Sequence, residues 1–321
     1  MAALHQRKVA KNIKGNIRIS RPLPRNQVVF VVPTFNRAKI IQKTLKINAQ
    51  IVERYDGVEV IVIDNCSDDK TFNLLSSEYS ENSNISILMN TKNIGFKGQI
   101  KRIVSERMFR EKLCVVLSDE DVIFEPGLIS FLTSSSYKKL ILNSLYVFNF
   151  LNAKGKDSFF RRKKRKVLNI NDIEIFGFGY ISGFAFFLDK DYKFDINPIL
   201  KSENSYPHLF PALFQNMNVE VVGEAIVANL INDEQSFLSN EWASGKHHFH
   251  LDSVKDFLRF IEKEFKVSKV ELFIFSVMYK SVAGLYRSVG LKKYVSAGGY
   301  FLLLLLVKPK LAIYYLFRYF N

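Results

Sequence analysis

Four consecutive polar residues, Ser118-Asp119-Glu120-Asp121, directly follow an apolar run from Leu113 to Leu117. Three neighbouring carboxylates repel one another, so they do not all stay ionised at the end of a buried strand unless a cation lies beside them. A divalent ion such as Mn²⁺ or Mg²⁺ would remove this repulsion, and it would also bridge phosphate oxygens and stabilise a departing phosphate. The alternative is a solvated acidic turn that caps the segment after it.

Polar clusters also follow three other short apolar runs, which favours the metal over the acidic turn. Asp64 can accept hydrogen bonds from a nucleobase or a ribose, as the acidic residue of dinucleotide-binding folds does. Asn93 and Gly95 would bring a side-chain amide and a flexible backbone close to bound phosphates, although an ordinary turn would have the same composition. The three clusters are Pro33 to Arg37, Asp64 to Asp69, and Asn90 to Lys97.

The apolar runs before these clusters are short and rich in β-branched residues, which is typical of strands covered on both faces of a parallel sheet. The segments between them carry apolar residues at helical spacing. This alternation predicts a doubly wound α/β domain, in which ligands bind at the carboxyl ends of the strands, where all four clusters then lie. The predicted strands are Val28 to Val32, Val58 to Ile63, Ile85 to Met89, Leu113 to Leu117, Ser144 to Phe150 and Ser182 to Leu188.

The chain has 321 residues, enough for one large domain or two of ordinary size, and 48% of them are hydrophobic, enough for a sizeable core. The formal net charge of +15 favours an anionic partner: nucleic acid, an acidic membrane surface or a phosphorylated substrate. Cys66 and Cys114 are predicted to be reduced thiols, because each lies inside or at the end of a predicted strand. The N-terminal region has no apolar core of export-signal length.

Four stretches of the chain are informative through their order and spacing: VVFVVPTFNRAKIIQKTL, VEVIVIDNCSDDKT, NTKNIGFKGQIKRIV and CVVLSDEDV. Together, over Val28 to about Phe124, they resemble the four opening motifs of the family 2 glycosyltransferases. The later segment YISGFAFFLD is similar to the acceptor-side strand of that family. SENSYPHLFPAL is most similar to the abequosyltransferase-like members of bacterial surface polysaccharide synthesis. The resemblance implies a GT-A type α/β fold: a Rossmann-like, mostly parallel sheet flanked by helices, with a C-terminal helical extension.

The resemblance also implies roles for the residues of the four clusters. Asp119 and Asp121 match the ends of the D-x-D metal motif, with Asp121 as the expected direct ligand of Mn²⁺ or Mg²⁺ and Asp119 on the nucleotide side. Glu120 is expected near the nucleotide as well. The implied donor is a sugar carried by UDP, CDP or dTDP. The other residues expected around the nucleotide are Pro33, Thr34, Asn36, Arg37, Asp64, Asn93, Gly95 and Lys97.

Family 2 enzymes usually invert, which means that an acceptor hydroxyl attacks C1 of the sugar in one step as the nucleoside diphosphate leaves. This step needs a general base opposite the leaving group. Many relatives use the aspartate of a Glu-Asp pair about twenty residues after the Ser-Gly strand, and this sequence has no such pair at that place. The matching window, residues 201–213, offers Glu203, which has the usual chemistry, and His208, whose intrinsic pKa suits a base better. His248, in a cluster of three histidines, belongs to a surface loop or completes the metal site.

Three regions are predicted along the chain: a basic N-terminal arm at 1–25, a GT-A catalytic domain at 26–250, and a C-terminal helical, membrane-associating region at 251–321. Within the catalytic domain, residues 26–125 would bind the nucleotide and residues 126–250 the acceptor. The tail KPKLAIYYLFRYFN mixes basic and aromatic residues, which suits a helix in a membrane interface. A buried helix would also explain the apolar segment before it.

These expectations combine into a metal-dependent, inverting glycosyltransferase that serves bacterial surface polysaccharide synthesis, such as capsule or lipopolysaccharide. Its acceptor would be lipid-linked or a growing glycan, and it would lie peripherally on the cytoplasmic face of the inner membrane. A nucleic-acid-binding protein would explain the net charge but not the acidic cluster, so no nucleic acid is expected. A nucleotidyltransferase would have a similar nucleotide-binding sheet. It would normally have a glycine-rich phosphate loop after the first strand, where this chain has Pro33 to Arg37.

Overall fold

The structure is a computed structural model that describes residues 27–151, 165–167, 181–193, 217–229 and Leu302. Several predicted features lie outside these ranges. They are the N-terminal arm, Glu203, His208, His248 and the C-terminal region apart from Leu302.

The chain divides into two compact units, of which the first comprises residues 1–168, 176–200 and 206–240. All strands and helices given below belong to this unit. None of the helices in the described ranges combines the length and the hydropathy that crossing a bilayer requires. The predicted boundaries of the catalytic domain and its halves stay a prediction.

The chain up to Val116 alternates strands and helices. Its elements are β1 (Val28–Thr34), α1 (Ala38–Val52), β2 (Val58–Asp64), α2 (Thr71–Glu78), β3 (Ile85–Met89), α3 (Gly95–Ser105) and β4 (Leu113–Val116). The four strands are parallel and lie in the order β3-β2-β1-β4. Parallel neighbours need a crossover, and the helices supply it. The sequence predicts all four strands, with ends that differ by a residue or two.

Beyond β4 the sheet becomes mixed. The elements here are β5 (Asp121–Ile123), α4 (Glu125–Thr133), α5 (Ser135–Lys138), β6 (Ser144–Leu151), β7 (Arg165–Val167), β8 (Phe184–Phe187) and β9 (Asn218–Asn229). The sheet continues from β4 through β8, β6 and β9 to β5, and β7 pairs with β9. Strand β6 is parallel to β9, whereas β8 is antiparallel to both β4 and β6, and β5 is antiparallel to β9.

The central strands are buried on both faces, which explains why they appear in the sequence as unbroken apolar runs. All four residues of β4 are buried, and so are the first five of β1. The apolar face of α1, with Ile41, Leu45 and Val52, belongs to the same core. Helix α4 approaches β9 so closely that a Cβ at Gly127 would lie 1.6 Å from the carbonyl oxygen of Ala225. Only glycine permits this contact, which fixes β9 beside the chain that follows the acidic cluster.

Candidate active site

The acidic cluster spans the loop after β4 and the first residue of β5, and helix α1 holds the backbone of this loop and of β5. Thr44 Oγ1 donates a hydrogen bond to the carbonyl oxygen of Asp119 at 2.8 Å. Asn48 Oδ1 accepts one from the backbone N–H of Ile123, also at 2.8 Å. Both helix residues are almost fully buried. A buried polar side chain needs a partner, so these contacts satisfy α1 and fix the loop at the same time.

Asp121 is the first residue of β5, and its carboxylate receives hydrogen bonds from two other parts of the sheet. Asn229 Nδ2, at the end of β9, donates to Oδ1 at 2.8 Å, and Ser182 Oγ, just before β8, donates to Oδ2. Among the described residues, no lysine or arginine pairs with this carboxylate. Burial raises the pKa of Asp121 to about 6, although the two hydrogen bonds act in the opposite direction.

Arg37, which follows β1, supplies positive charge to the other two carboxylates. Its Nε atom lies 3.7 Å from Asp119 Oδ2, and its Nη2 atom pairs with Glu120 Oε1. Thr34 Oγ1 also donates to Asp119 Oδ2, at 2.9 Å. Burial raises the pKa of Asp119, while Arg37 and Thr34 act to lower it. The unfavourable charge of the cluster is thus compensated at two carboxylates and remains uncompensated at Asp121.

Asp119 and Asp121 fit the cations that the sequence predicts. Mg²⁺ and Mn²⁺ prefer oxygen ligands, and Mg²⁺ is usually held by one or two carboxylates together with substrate phosphates and water. Within the described ranges, no group of three or more His, Cys, Asp or Glu side chains could hold a metal ion without further ligands. Asp121 has neutral donors only, so a cation would stabilise its buried charge.

The loops after β1 and β2 are tied to each other by polar side chains. The backbone N–H of Asn36 donates to Ser67 Oγ at 2.8 Å, and the N–H of Asp68 donates to Asn36 Oδ1 at 3.0 Å. The N–H of Ala38, at the start of α1, donates to Asp69 Oδ2 at 3.1 Å. Asn36 has a φ of 54°, a conformation that asparagine adopts more readily than most residues. The first predicted nucleotide-binding loop therefore takes its shape from the second.

Asp64, predicted to bind the base, ends β2 at the same edge of the sheet, but its side chain is fully buried. Both carboxylate oxygens accept hydrogen bonds from Ser67, one from the backbone N–H at 2.9 Å and one from the hydroxyl group. In this arrangement the carboxylate shapes the loop after β2. Its contact with a nucleobase stays a prediction.

A network of asparagines holds the loop after β3. Asn65 Nδ2 donates to Asn93 Oδ1 at 2.8 Å, and Asn65 Oδ1 accepts from Asn90 Nδ2 at 2.8 Å and from the N–H of Ile94 at 3.0 Å. Asn93 Oδ1 also accepts from the N–H of Gly95 at 2.8 Å. Gly95 begins α3 with a φ of 68°, which glycine adopts without strain. The loop predicted to lie near the phosphates is therefore built on Asn65, a residue of the loop before it.

The predicted site residues that the structure describes all lie at the carboxyl ends of β1 to β4. Side-chain contacts join the loop after β1 to the acidic cluster, and further contacts join the loops after β1, β2 and β3. Lys97 lies in the first turn of α3. The residues placed at this edge are Pro33, Thr34, Asn36, Arg37, Asp64, Asn93, Gly95, Lys97, Asp119, Glu120 and Asp121.

Sequence reasoning missed the side chains that hold these residues in place. Thr44 and Asn48 carried a signal, because two polar residues one turn apart interrupt the apolar face of α1. Ser182 lies in a predicted strand segment, but nothing in that segment marks its hydroxyl. Asn229 carried no signal, since its contact with Asp121 joins residues 108 positions apart.

Comparisons with known proteins give the same fold. Residues 29–192, about half of the chain, match the sequence model of Glycosyl transferase family 2. The structure of S. aureus TarS 1-349 in complex with UDP is 15% identical and has a TM-score of 0.51, with coverage of 78% of this chain and 70% of that one. The TarS 1-349 complex with UDP-GlcNAc is 13% identical, with a TM-score of 0.51 and coverage of 89% and 82%. The fold is therefore of the GT-A type. Among curated proteins, no significant match was found.

Proposed function

Since this chain belongs to glycosyl transferase family 2 and is a glycosyltransferase, we propose that it moves a sugar from a nucleoside-diphosphate-sugar donor to a lipid-linked or growing glycan. One observation carries the proposal. The loops after β1 to β4 meet at one edge of the sheet, where Arg37 pairs with Asp119 and Glu120 and where the carboxylate of Asp121 is buried. Ligands of open α/β sheets bind at this edge.

The proposed donor carries UDP, CDP or dTDP. The two TarS structures hold UDP and UDP-GlcNAc, and their similarity of fold supports a nucleotide sugar for this chain. The base and ribose would lie near Asp64, and the phosphates near Asn93, Gly95 and Lys97. Helix α3 begins at Gly95, whose own N–H donates to Asn93, and helix N-termini offer the backbone N–H groups that follow to anions, which supports this orientation.

Mn²⁺ or Mg²⁺ would be held by Asp121 as the direct ligand and by Asp119 on the nucleotide side. When bound, the ion would stabilise negative charge on the departing diphosphate. Arg37 would bind the same diphosphate, because guanidinium groups pair well with phosphate oxygens and this one already lies between two carboxylates of the site. Thr34 holds the side chain of Asp119, and Thr44 holds its backbone. His248, outside the described residues, is a further proposed ligand.

The transfer that we propose inverts the configuration at C1, and a general base takes the proton of the acceptor hydroxyl. Glu203 and His208, both outside the described residues, are the two candidates. Glu203→Gln and His208→Asn should be compared for transfer and for UDP binding. The base is the residue whose replacement abolishes transfer while UDP still binds, and a carboxylate base would give a lower pKa in the pH–rate profile than an imidazole. Full transfer by both variants would exclude both candidates.

The acceptor and the place of action are proposed from the sequence. The resemblance to abequosyltransferase-like enzymes supports a role in capsule or lipopolysaccharide synthesis. The basic and aromatic tail supports peripheral attachment to the cytoplasmic face of the inner membrane. Deleting the residues after Val289 should shift the protein from the membrane fraction of cells to the soluble fraction. An unchanged membrane fraction would contradict attachment through this region.

The central experiment is a transfer and hydrolysis assay across a panel of sugar nucleotides with Mn²⁺. Asp121→Asn should lose most of the activity, because it removes the proposed direct ligand. Asp56→Asn is the matched control, since Asp56 is an exposed aspartate in the turn before β2. Undiminished activity of Asp121→Asn would contradict the metal assignment, and no activity of the wild type with any donor would contradict the proposed reaction.

The alternative functions are less well supported. The family assignment favours glycosyl transfer over nucleotidyl transfer. Nucleic-acid binding would be revealed by salt-sensitive binding to random DNA, and the acidic cluster at the site would oppose it unless a metal were bound.

A further inference from the structure

Two side chains from outside the predicted nucleotide-binding half contact Asp121, and the reaction proposed above gives them no role. Ser182 lies two residues before the start of β8, and Asn229 ends β9. Their partner begins β5, 61 positions from the serine and 108 from the asparagine. Both contacts end on the same carboxylate, one on each oxygen.

We propose that Ser182 and Asn229 are positioning residues that hold the Asp121 carboxylate in the orientation that a divalent cation requires. This inference rests on the proposed function, because it assumes a metal-dependent site. A carboxylate rotates about its Cβ–Cγ bond, and each of its oxygens carries two lone pairs. One hydrogen bond to each oxygen opposes this rotation and leaves each oxygen a lone pair for the cation.

The serine is itself fixed in position. Ser182 Oγ accepts a hydrogen bond from the backbone N–H of Ser118 at 2.9 Å, so its own proton is free to point at Asp121. The next residue, Gly183, has a φ of 85°, and a Cβ there would lie 3.0 Å from the carbonyl oxygen of Phe148. Glycine is therefore the residue that suits this turn. The hydroxyl group of Ser182 thus contacts both ends of the acidic cluster, the backbone of Ser118 and the carboxylate of Asp121.

Neutral donors suit this role better than a cationic side chain would. A lysine or arginine beside Asp121 would neutralise the charge that attracts the metal, and Arg37 pairs instead with Asp119 and Glu120. Hydroxyl and amide groups orient a carboxylate without cancelling its charge. In metalloproteins generally, removing a hydrogen-bond partner of a metal ligand lowers metal affinity by roughly 10-fold to 100-fold.

The test is Mn²⁺ binding to the full-length protein, followed through the electron paramagnetic resonance signal of free Mn²⁺, with and without UDP. Ser182→Ala and Asn229→Ala should each weaken binding by roughly 10-fold or more. Ser182→Thr keeps the hydroxyl group and should restore most of the affinity. If Asn229→Ala does not fold, Asn229→Ser also removes the amide that contacts Asp121 and keeps a polar side chain at this position.

Asn149→Ala is the matched structural control. Asn149 is buried and donates from Nδ2 to the carbonyl oxygen of Gly223 in β9 at 2.8 Å, so its loss weakens the same strand without touching Asp121. This variant should unfold at lower temperature and keep its Mn²⁺ affinity. In an Asp121→Asn background, Ser182→Ala should cause no further loss of residual Mn²⁺ binding, because the carboxylate that it orients is gone.

The outcomes separate this inference from the proposed function. Wild-type Mn²⁺ affinity in both folded alanine variants would overturn the positioning role and leave the glycosyltransferase intact. An equal loss of affinity in Asn149→Ala would also overturn it, since the effect would then come from a weakened strand. A wild-type protein that binds no Mn²⁺, alone or with UDP, would overturn the metal dependence and the positioning role together.

Discussion

At the scale of single residues, the three carboxylates of the acidic cluster differ in what compensates their charge. Glu120 pairs with Arg37, Asp119 lies beside the same guanidinium, and Asp121 has neutral donors only. Asp119 and Glu120 lie in a turn that is closed by a hydrogen bond from the N–H of Asp121 to the carbonyl oxygen of Ser118, at 3.0 Å, so the three side chains meet different partners. The sequence predicts where the cluster lies and, through its resemblance to a family, a separate role for each of its carboxylates. The partners themselves come from distant parts of the chain and were not predictable from it.

The buried charge of Asp121 should make the stability of the metal-free protein depend on pH. Its pKa is raised to about 6 in the folded protein, against about 4 in an unfolded chain. Between these values the unfolded chain has lost the proton and the folded protein has kept it. The free energy of unfolding should therefore fall as the pH rises from about 4 to about 6, by on the order of 3 kcal/mol, and this contribution should be constant at higher pH.

Urea unfolding of the wild type and of Asp121→Asn, each with EDTA, measures this effect. Groups distant from Asp121 titrate equally in both proteins, so the difference between their unfolding free energies reports Asp121 together with its coupling to Asp119. As the pH rises through this window, the free energy of unfolding of the variant should increase relative to that of the wild type. Two parallel pH dependences would show that the buried carboxylate does not retain its proton.

Arg37→Gln should destabilise the protein, because it leaves the buried carboxylate of Glu120 without its cationic partner. The expected loss of unfolding free energy is about 2 kcal/mol, since a buried charge that loses its cationic partner is costly although the arginine itself is partly exposed. Adding Glu120→Gln to the same protein should restore much of the loss. Equal and additive losses in the double-mutant cycle, measured in urea, would contradict the coupling of the two side chains.

At the scale of elements, helix α1 is a packing element that also fixes the acidic loop. Asn48→Leu should cost about 1–3 kcal/mol of unfolding free energy, because the buried N–H of Ile123 loses its acceptor. It should also weaken Mn²⁺ binding, since Ile123 ends the strand that Asp121 begins, and this strand loses its hydrogen bond to the helix. Gln50→Leu, at an exposed position of the same helix, should change stability by less than about 0.5 kcal/mol. A similar effect of both variants in urea unfolding and Mn²⁺ titration would contradict the anchoring role.

The elements that the sequence predicted are those whose signal is local. Strands β1 to β4 are continuous apolar runs, and the helices between them have apolar residues at helical spacing. Strand β5 has only three residues, and the apolar residues of β9 are interrupted by Gly223 and Glu224. Their pairing, Asp121 opposite Asn229, joins distant segments and leaves no periodic pattern in either. Hence strands β1 to β4 were predictable and the contacts that complete Asp121 were not.

At the scale of the whole molecule, the net charge of +15 raises the question of whether an anionic ligand is bound specifically or only attracted. Attraction by many surface charges is screened by salt and does not discriminate between anions of equal charge. Binding at the edge of the sheet would instead depend on the nucleoside and on a metal held by Asp119 and Asp121. Thermal unfolding distinguishes the two, because a ligand that binds only the folded state stabilises it.

We expect one of UDP, CDP and dTDP, together with Mn²⁺, to raise the unfolding temperature well above the value with inorganic pyrophosphate at the same ionic strength. At a ligand concentration of about 100 times Kd, the stabilisation should be about 2.7 kcal/mol. Asp121→Asn should lose the part that requires Mn²⁺, whereas Asp56→Asn should keep it. Equal stabilisation by every anion, unaffected by Mn²⁺, would mean that the net charge alone attracts them, and the nucleotide site proposed at the ends of β1 to β4 would then be wrong.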